Sequence, residues 1–217
     1  MTIRAWTDGV WTVDMPHKVM GIPVGGRATI LRLSDGRLAF VSPVRLEDDD
    51  VAAIRALGEV AFVVAPNLLH YRFVSDAKEH FPSARVLGAP GLRSKLPSLP
   101  IDGDLDGKSL PGLEQHRVGG MPSLGEIALR AGDTLVLTDL CFNVRATSSW
   151  LYRLYLRRGD AFGRLAMTPI SRRMIADGTA FAASRDVLVG WGCERVIVTH
   201  GDVLESGGQA ALAEALS

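Results

Sequence analysis

His200 closes an apolar run, "RVIVTH", and Gly201 and Asp202 follow at once. A buried strand that stops on a His-Gly pair delivers an imidazole to a surface. There it serves as a ligand, or as a structural group that hydrogen-bonds a loop carbonyl. Other apolar runs also lead into polar residues. "FVVAP" runs into "NLLHY", which contributes Asn67, His70 and Tyr71. "DTLVLTDLCFN" contributes Asp139 and Asn143, and "VGGMPSLGEIAL" contributes Glu126. Loops at strand ends are where α/β folds place their chemistry. Asp202 is expected to cap the final helix or steady the His200 loop. His17, His80 and His116 have no strand-end setting and read as surface residues.

The elements that must position these residues follow from patterning. "GVWTVDMP" reads as a strand leading into a Gly-rich connection, "GIPVGG". "RATILRLSDGRLAFVSP" reads as a hairpin about Ser34-Asp35-Gly36-Arg37, because Asp-Gly supplies the positive φ of a tight turn. Asp48 to Asp50 charge a helix N-terminus and Gly58 ends that helix. "VAFVVAP" is a continuous apolar run, as in a strand covered on both faces. "SDAKEHFP" reads as a short helix halted by Pro82, and "ARVLGAP" as another strand. Residues 92 to 112, rich in Gly, Pro, Ser and Asp, read as a surface loop with little regular structure. "LEQHRVGG", "GEIALRAG" and "DTLVLTDL" read as three strands, and residues 146 to 190 as mostly helical. "CERVIVTHG" is the final strand and "SGGQAALAEALS" a closing helix. The pattern is that of a layered α/β or α+β sandwich.

The 217 residues suit a single domain, 1–217, with a sizeable core. Lys plus Arg equals Asp plus Glu at 24 each, so no global field attracts nucleic acid or an anionic membrane, and no nucleic-acid partner is expected. Cys141 and Cys193 lack metal-type spacing and read as reduced thiols of a cytoplasmic protein. The start, "MTIRAWTDGVW", has no uncharged apolar core, so no signal peptide is expected, and no apolar run is long enough to span a membrane.

Five segments in order, "APNLLHYRF", "GGMPSLGEIAL", "LRAGDTLVLTDL", "TDLCFN" and "ERVIVTHGD", resemble the metallo-β-lactamase superfamily, in a branch whose members lack its standard motif. The resemblance runs from about Val10 to about Val203. It implies a four-layer αβ/βα sandwich, with Asp139 as the metal-bridging aspartate and His200 as the last ligand histidine. Laid on the HxHxDH motif, Pro66 and Leu68 stand where two histidines would be, His70 replaces the aspartate and Tyr71 the last histidine. The third-motif histidine falls at or near Met121. Proline and leucine have no donor atom, and a thioether is a weak ligand for zinc, so the first metal site is expected to be absent.

The resemblance leaves a second site, drawn from the positions of His70, Tyr71, Asp139 and His200. Two imidazoles and one carboxylate suffice for Zn²⁺ with an open position, or for non-haem Fe²⁺. Asn67, Tyr71, Glu126, Asn143 and Asp202 are the candidates to line the pocket or orient these ligands. Three functions fit: a one-metal hydrolase using Asp139, His200 and His70 as catalytic residues, a metal-free small-molecule-binding module, or a protein-interaction module. For the last, residues 145 to 173 carry seven arginines and one acid, Asp160, among Trp150, Leu151, Tyr152, Leu154, Tyr155 and Leu156. Plain packing, a homodimer face over 146–160, an anionic-substrate rim and attachment to a membrane surface all fit that pattern.

Overall fold

The computed structural model describes residues 3–217. Up to residue 104 the strands are β1 (Ile3–Thr7), β2 (Val10–Met15), β3 (Lys18–Val19), β4 (Ile22–Pro23), β5 (Gly26–Arg32), β6 (Leu38–Val41), β7 (Val60–Ala65), β8 (Arg85–Gly88) and β9 (Gly103–Asp104). Helices α1 (Asp48–Leu57), α2 (Val74–His80) and α3 (Leu92–Lys95) are interspersed. Seven of these strands form one sheet in the order β1-β2-β5-β6-β7-β8-β9, antiparallel up to β6 and parallel beyond it. The change occurs where α1 and α2 carry the chain back across the sheet. β7 is buried at all six positions, as a parallel strand covered on both faces should be.

The hairpin joining β5 to β6 forms as its turn chemistry dictates. Gly36 takes φ +85 and the Asp35 carboxylate accepts from the Arg37 backbone and guanidinium. At α1, the Glu47 N–H donates to the Asp50 carboxylate at 3.0 Å, and Gly58 ends the helix.

The second sheet is β10 (Glu114–Arg117), β11 (Ile127–Ala131), β12 (Thr134–Leu137) and β13 (Arg195–Val198), in that order. β12 and β13 are parallel, separated in the chain by α4 (Trp150–Arg158), α5 (Pro169–Arg173) and α6 (Gly178–Gly190); α7 (Gly208–Ala215) closes the chain. The two sheets pack face to face through Leu31, Val41, Phe62, Val64, Leu129, Val136 and Ile197. The outer face of the first sheet, with Ile30, Phe40 and Val63, is covered by Ile54, Val74 and Ala77 of α1 and α2. The outer face of the second, with Ala128, Leu135 and Val196, is covered by Phe181, Leu188 and Leu212 of α6 and α7. The four layers are thus helix, sheet, sheet, helix. A fully buried side chain such as Phe40 contributes about 2–3 kcal/mol to holding two of them together.

Three expectations need correction. The Gly-rich connection contains a small hairpin, β3 with β4, turning at Met20 and Gly21, both with positive φ. Residues 92 to 112 are not a plain solvated loop. Leu92, Ile101, Leu105 and Leu110 are buried, and between them sit α3 and the edge strand β9. Polar composition outweighed these spaced leucines in the sequence reading. Residues 159 to 168 interrupt the helical stretch, bridging Ala166 to Phe142 and Phe162 to Val144. Cys141 and Cys193 are free and buried. Among the described residues no helix is long and apolar enough to cross a membrane.

Candidate metal centre

Asp139 lies just beyond β12, and a neighbouring carboxylate shapes its turn. Glu126 is fully buried and accepts three backbone N–H groups, from Thr138 (2.7 Å), Asp139 (2.8 Å) and Leu140 (2.9 Å). Such a cradle offsets the cost of burying a charge and fixes where the Asp139 carboxylate points. Asn67, buried after β7, works in two directions. Its Oδ1 accepts from the Leu69 and His70 amides, holding the loop that carries His70. Its Nδ2 donates to Thr138 Oγ1 and to Asp139 Oδ2, both at 2.9 Å.

His70 and His200 then each meet one oxygen of Asp139, their ring centroids 5.5 Å apart. His70 Nε2 is 3.0 Å from Asp139 Oδ2, and His200 Nε2 is 3.5 Å from Asp139 Oδ1. The far nitrogens are also engaged. His70 Nδ1 lies 2.7 Å from Ser42 Oγ, at the end of β6, where Ser42 holds a left-handed φ of +53. His200 Nδ1 lies 2.9 Å from the Gly25 carbonyl oxygen. The Phe142 ring covers His200 with centroids 4.6 Å apart.

The backbone on both sides of His200 is pinned. Asn143 donates its N–H to the His200 carbonyl and its Nδ2 to the Asp202 carbonyl, and accepts the Asp202 N–H. Gly201 has φ +98 and lies so close to the Asn143 carbonyl that a Cβ would collide with it. Arg27 of β5, buried, donates through one guanidinium nitrogen to the carbonyls of Val198 (2.9 Å) and Gly201 (2.8 Å), while Asp14 binds its other side at 2.6 and 3.0 Å.

The electrostatics favour a cation. Burial alone would raise the Asp139 pKa, but the two imidazoles, His70 foremost, hold it well below the usual carboxylate range. For Glu126 burial wins, joined by the charge of Asp139, and its pKa is raised against the pull of the amides. Burial lowers the His70 pKa, but Asp139 outweighs it and the net direction is up. A carbonyl only accepts, so the Gly25 contact requires a proton on His200 Nδ1 and turns Nε2 towards Asp139 Oδ1. The donor atoms of His70, Asp139 and His200 all lie within 4.8 Å of one another, the one such group of three among the described residues. Two imidazoles and a carboxylate suit Zn²⁺ or Fe²⁺, and the residues present therefore fit one divalent ion.

The remaining candidates fall elsewhere. Tyr71 packs against the helix-covered core of the first sheet, with Lys95 Nζ 5.7 Å from its ring centroid, and makes no hydrogen bond to the group. Asp202 contributes backbone bonds, and its exposed side chain lines a cavity of about 340 Å³ beside the centre, bounded by Gly25, Arg27, Thr147 and Gly201. None of the three donor residues lines that cavity. Leu68 and Met121 are packed into apolar clusters, and the Pro66 carbonyl accepts from Ile127.

Glu126 is no ordinary solvated strand residue, because the amides after β12 satisfy it. The three histidines read as surface residues are all partly buried. Burial, then Arg72, then His200 and His70 lower the pKa of His17, which places it near the centre. Ser42, Gly25 and Arg27 went unrecognised. Ser42, at the end of the apolar run "LAFV", was open to the same strand-end criterion as the rest, whereas a backbone carbonyl leaves no mark in sequence.

No protein-family model matches the chain, and no curated protein is significantly similar to it. Solved structures are. A metallo-β-lactamase from Pontibacter korlensis superposes with TM-score 0.67 at 11% identity, covering 99% of this chain and 98% of that one. The DIM-1 metallo-β-lactamase gives 0.67 at 12% identity, covering 99% and 96%. FIM-1 from Pseudomonas aeruginosa, solved in its mono-zinc form, gives 0.65 at 15% identity, covering 99% and 94%. Identities this low speak for architecture alone, and together with the four layers they establish that the chain has the metallo-β-lactamase fold.

Proposed function

We propose that the protein is a mononuclear metal-dependent hydrolase whose ion is held by His70, Asp139 and His200. One observation carries the reading: the donor atoms of His70, Asp139 and His200 converge to within 4.8 Å of one another. A bound Zn²⁺ or Fe²⁺ would supply Lewis-acid activation of water and of a carbonyl oxygen near neutral pH. The chain's own residues do the rest. The Gly25 carbonyl keeps the His200 proton on Nδ1. The Ser42 hydroxyl accepts from His70 Nδ1 when Nε2 serves as a ligand, and donates to Nδ1 when Nε2 is protonated, so His70 is oriented in either state. Glu126 and Asn67 hold Asp139 from behind. Pro66, Leu68 and Met121 offer no imidazole for a second ion, and esters or thioesters are better candidate substrates than β-lactams. Mono-zinc FIM-1 shows that this fold accommodates a single ion.

Elemental analysis of untagged protein purified without chelator, beside His200→Ala and Asp139→Asn, tests this. Near-stoichiometric zinc or iron in the parent, lost in both variants, is expected. A metal-free parent that takes up neither ion on reconstitution would overturn it.

A second reading has its own observation. The contacts among Asn67, Asp139, His70 and Ser42 close into a network without any ion, next to a 340 Å³ cavity. A metal-free module that binds a small molecule there would show a melting shift with a metabolite in chelator-treated protein.

A further inference from the structure

The face formed by α4 and α5 has no part in the metal centre. α4 starts at Ser149, whose Oγ accepts the Tyr152 N–H. Its inward side, Tyr152 and Leu156, packs with Val144, Ala161 and Ala166. Its outward side is apolar as well: Trp150 is 70% exposed, Leu151 57% and Leu154 39%, and Ile170 on α5 is 57% exposed. A helix that already has a core side needs no second apolar side for folding, so such a patch marks an interaction surface. An open groove of about 640 Å³ lies between the helices, bordered by Leu151, Leu154, Tyr155, Arg158, Arg172 and Arg173. Arg153 and Arg157 are exposed on the same helix. The one acid of the segment, Asp160, lies 3.4 Å from Arg164. Among the described residues none of the five arginines 153, 157, 158, 172 and 173 pairs with a carboxylate.

We propose that this face docks on the surface of an anionic lipid bilayer. Charge complementarity selects the occupant. A two-fold contact with a second copy sets this patch against itself, arginine against arginine, and the segment's one acid, Asp160, already lies beside Arg164. Nucleic acid would satisfy the arginines but leave Trp150, Leu151, Leu154 and Ile170 wet. A bilayer interface meets both requirements: indole and aliphatic side chains enter the headgroup boundary while guanidinium groups reach lipid phosphates. This is attachment in the interfacial plane, with no crossing of the bilayer.

Co-sedimentation of the full chain with vesicles of phosphatidylcholine alone, or with about 30% phosphatidylserine, tests it. Binding to the anionic vesicles alone is expected, weakened roughly tenfold or more when salt rises from 0.1 to 0.5 M. A blue shift in emission that Trp150→Phe abolishes should accompany it. Arg157→Glu with Arg158→Glu, and separately Leu151→Ala with Leu154→Ala, should each lose binding without a change in melting temperature. No sedimentation with either vesicle overturns the proposal. If light scattering then shows a mass that rises with concentration and that these substitutions abolish, the occupant is a second copy. Unchanged binding by the Leu151→Ala, Leu154→Ala protein also overturns it, because charge alone would then account for adsorption. None of these readouts depends on metal.

Discussion

The strand-end centre and the α4–α5 face use similar polar groups in opposite ways. At the centre every side chain is gripped: Asp139 by Asn67 and two imidazoles, Glu126 by three amides, His70 by Ser42, His200 by Gly25. The partners come from both sheets, so geometry there is inseparable from folding. On the face, exposed arginines are held at most by a backbone carbonyl or the Phe162 ring, beside uncovered leucines and a tryptophan. Its shape costs the fold little and contributes little to it. The contrast separates residues whose loss should unfold the protein from residues whose loss should pass unnoticed until something binds.

The sharpest separation should come from Glu126→Ala, which leaves three buried amides without an acceptor and frees the turn before Asp139. A loss on the order of 3–5 kcal/mol is expected by urea denaturation, while Arg157→Glu with Arg158→Glu should stay within about 0.5 kcal/mol. A Glu126→Ala loss below about 1 kcal/mol would break the comparison.

pH gives a smaller effect. In metal-stripped protein the folded-state pKa of His70 is raised above 6.5 by Asp139. The folded state then binds the proton more tightly than the unfolded one. The stabilisation is fully present below about pH 6.5 and fades as pH rises through the folded pKa. Unfolding free energies of the parent minus His70→Gln, from pH 5.5 to 8.5, should shrink accordingly. The difference for the Arg157 and Arg158 variant should be flat over the same range. With ion bound the His70 trend should reverse, because a ligand nitrogen must be deprotonated.

The smallest effect lies on the inner side of α4. The Tyr152 hydroxyl is buried without a hydrogen-bond partner, and burial, with Tyr155 adding to it, pushes its pKa up to about 12. Tyr152→Phe removes an unsatisfied group and should stabilise the protein by about 1 kcal/mol in the same urea assay.

Elements governed by local chemistry were legible in the sequence. The Asp35-Gly36 turn, the acidic start of α1 and the apolar runs of β7, β12 and β13 declare themselves within a few residues, and the order of segments then implied the layers. The strand-end positions of His70, Asp139 and His200 could be read as well, because a strand must release its next side chain at the sheet edge. What could not be read was set by distant partners. Nothing near Glu126 in the sequence says that three amides twelve to fourteen residues away will satisfy it. Nothing near His17 says that the small β3–β4 hairpin brings it towards two other histidines. The burial of Leu92, Ile101, Leu105 and Leu110 was hidden by polar neighbours that compositional reading weighs equally.

Arg27 ties the centre to the order in which the molecule is made. It belongs to the first sheet, yet its guanidinium holds carbonyls 171 and 174 residues later in the chain, on either side of His200. His70 is supplied by the first half of the chain, and Asp139 and His200 by the second. During synthesis the first sheet can pair its strands well before β13 leaves the ribosome, but the three donor residues cannot all be present until then. Its assembly is therefore a late event. A polypeptide cut short before β13 would lack His200, so the group of three could not form in it.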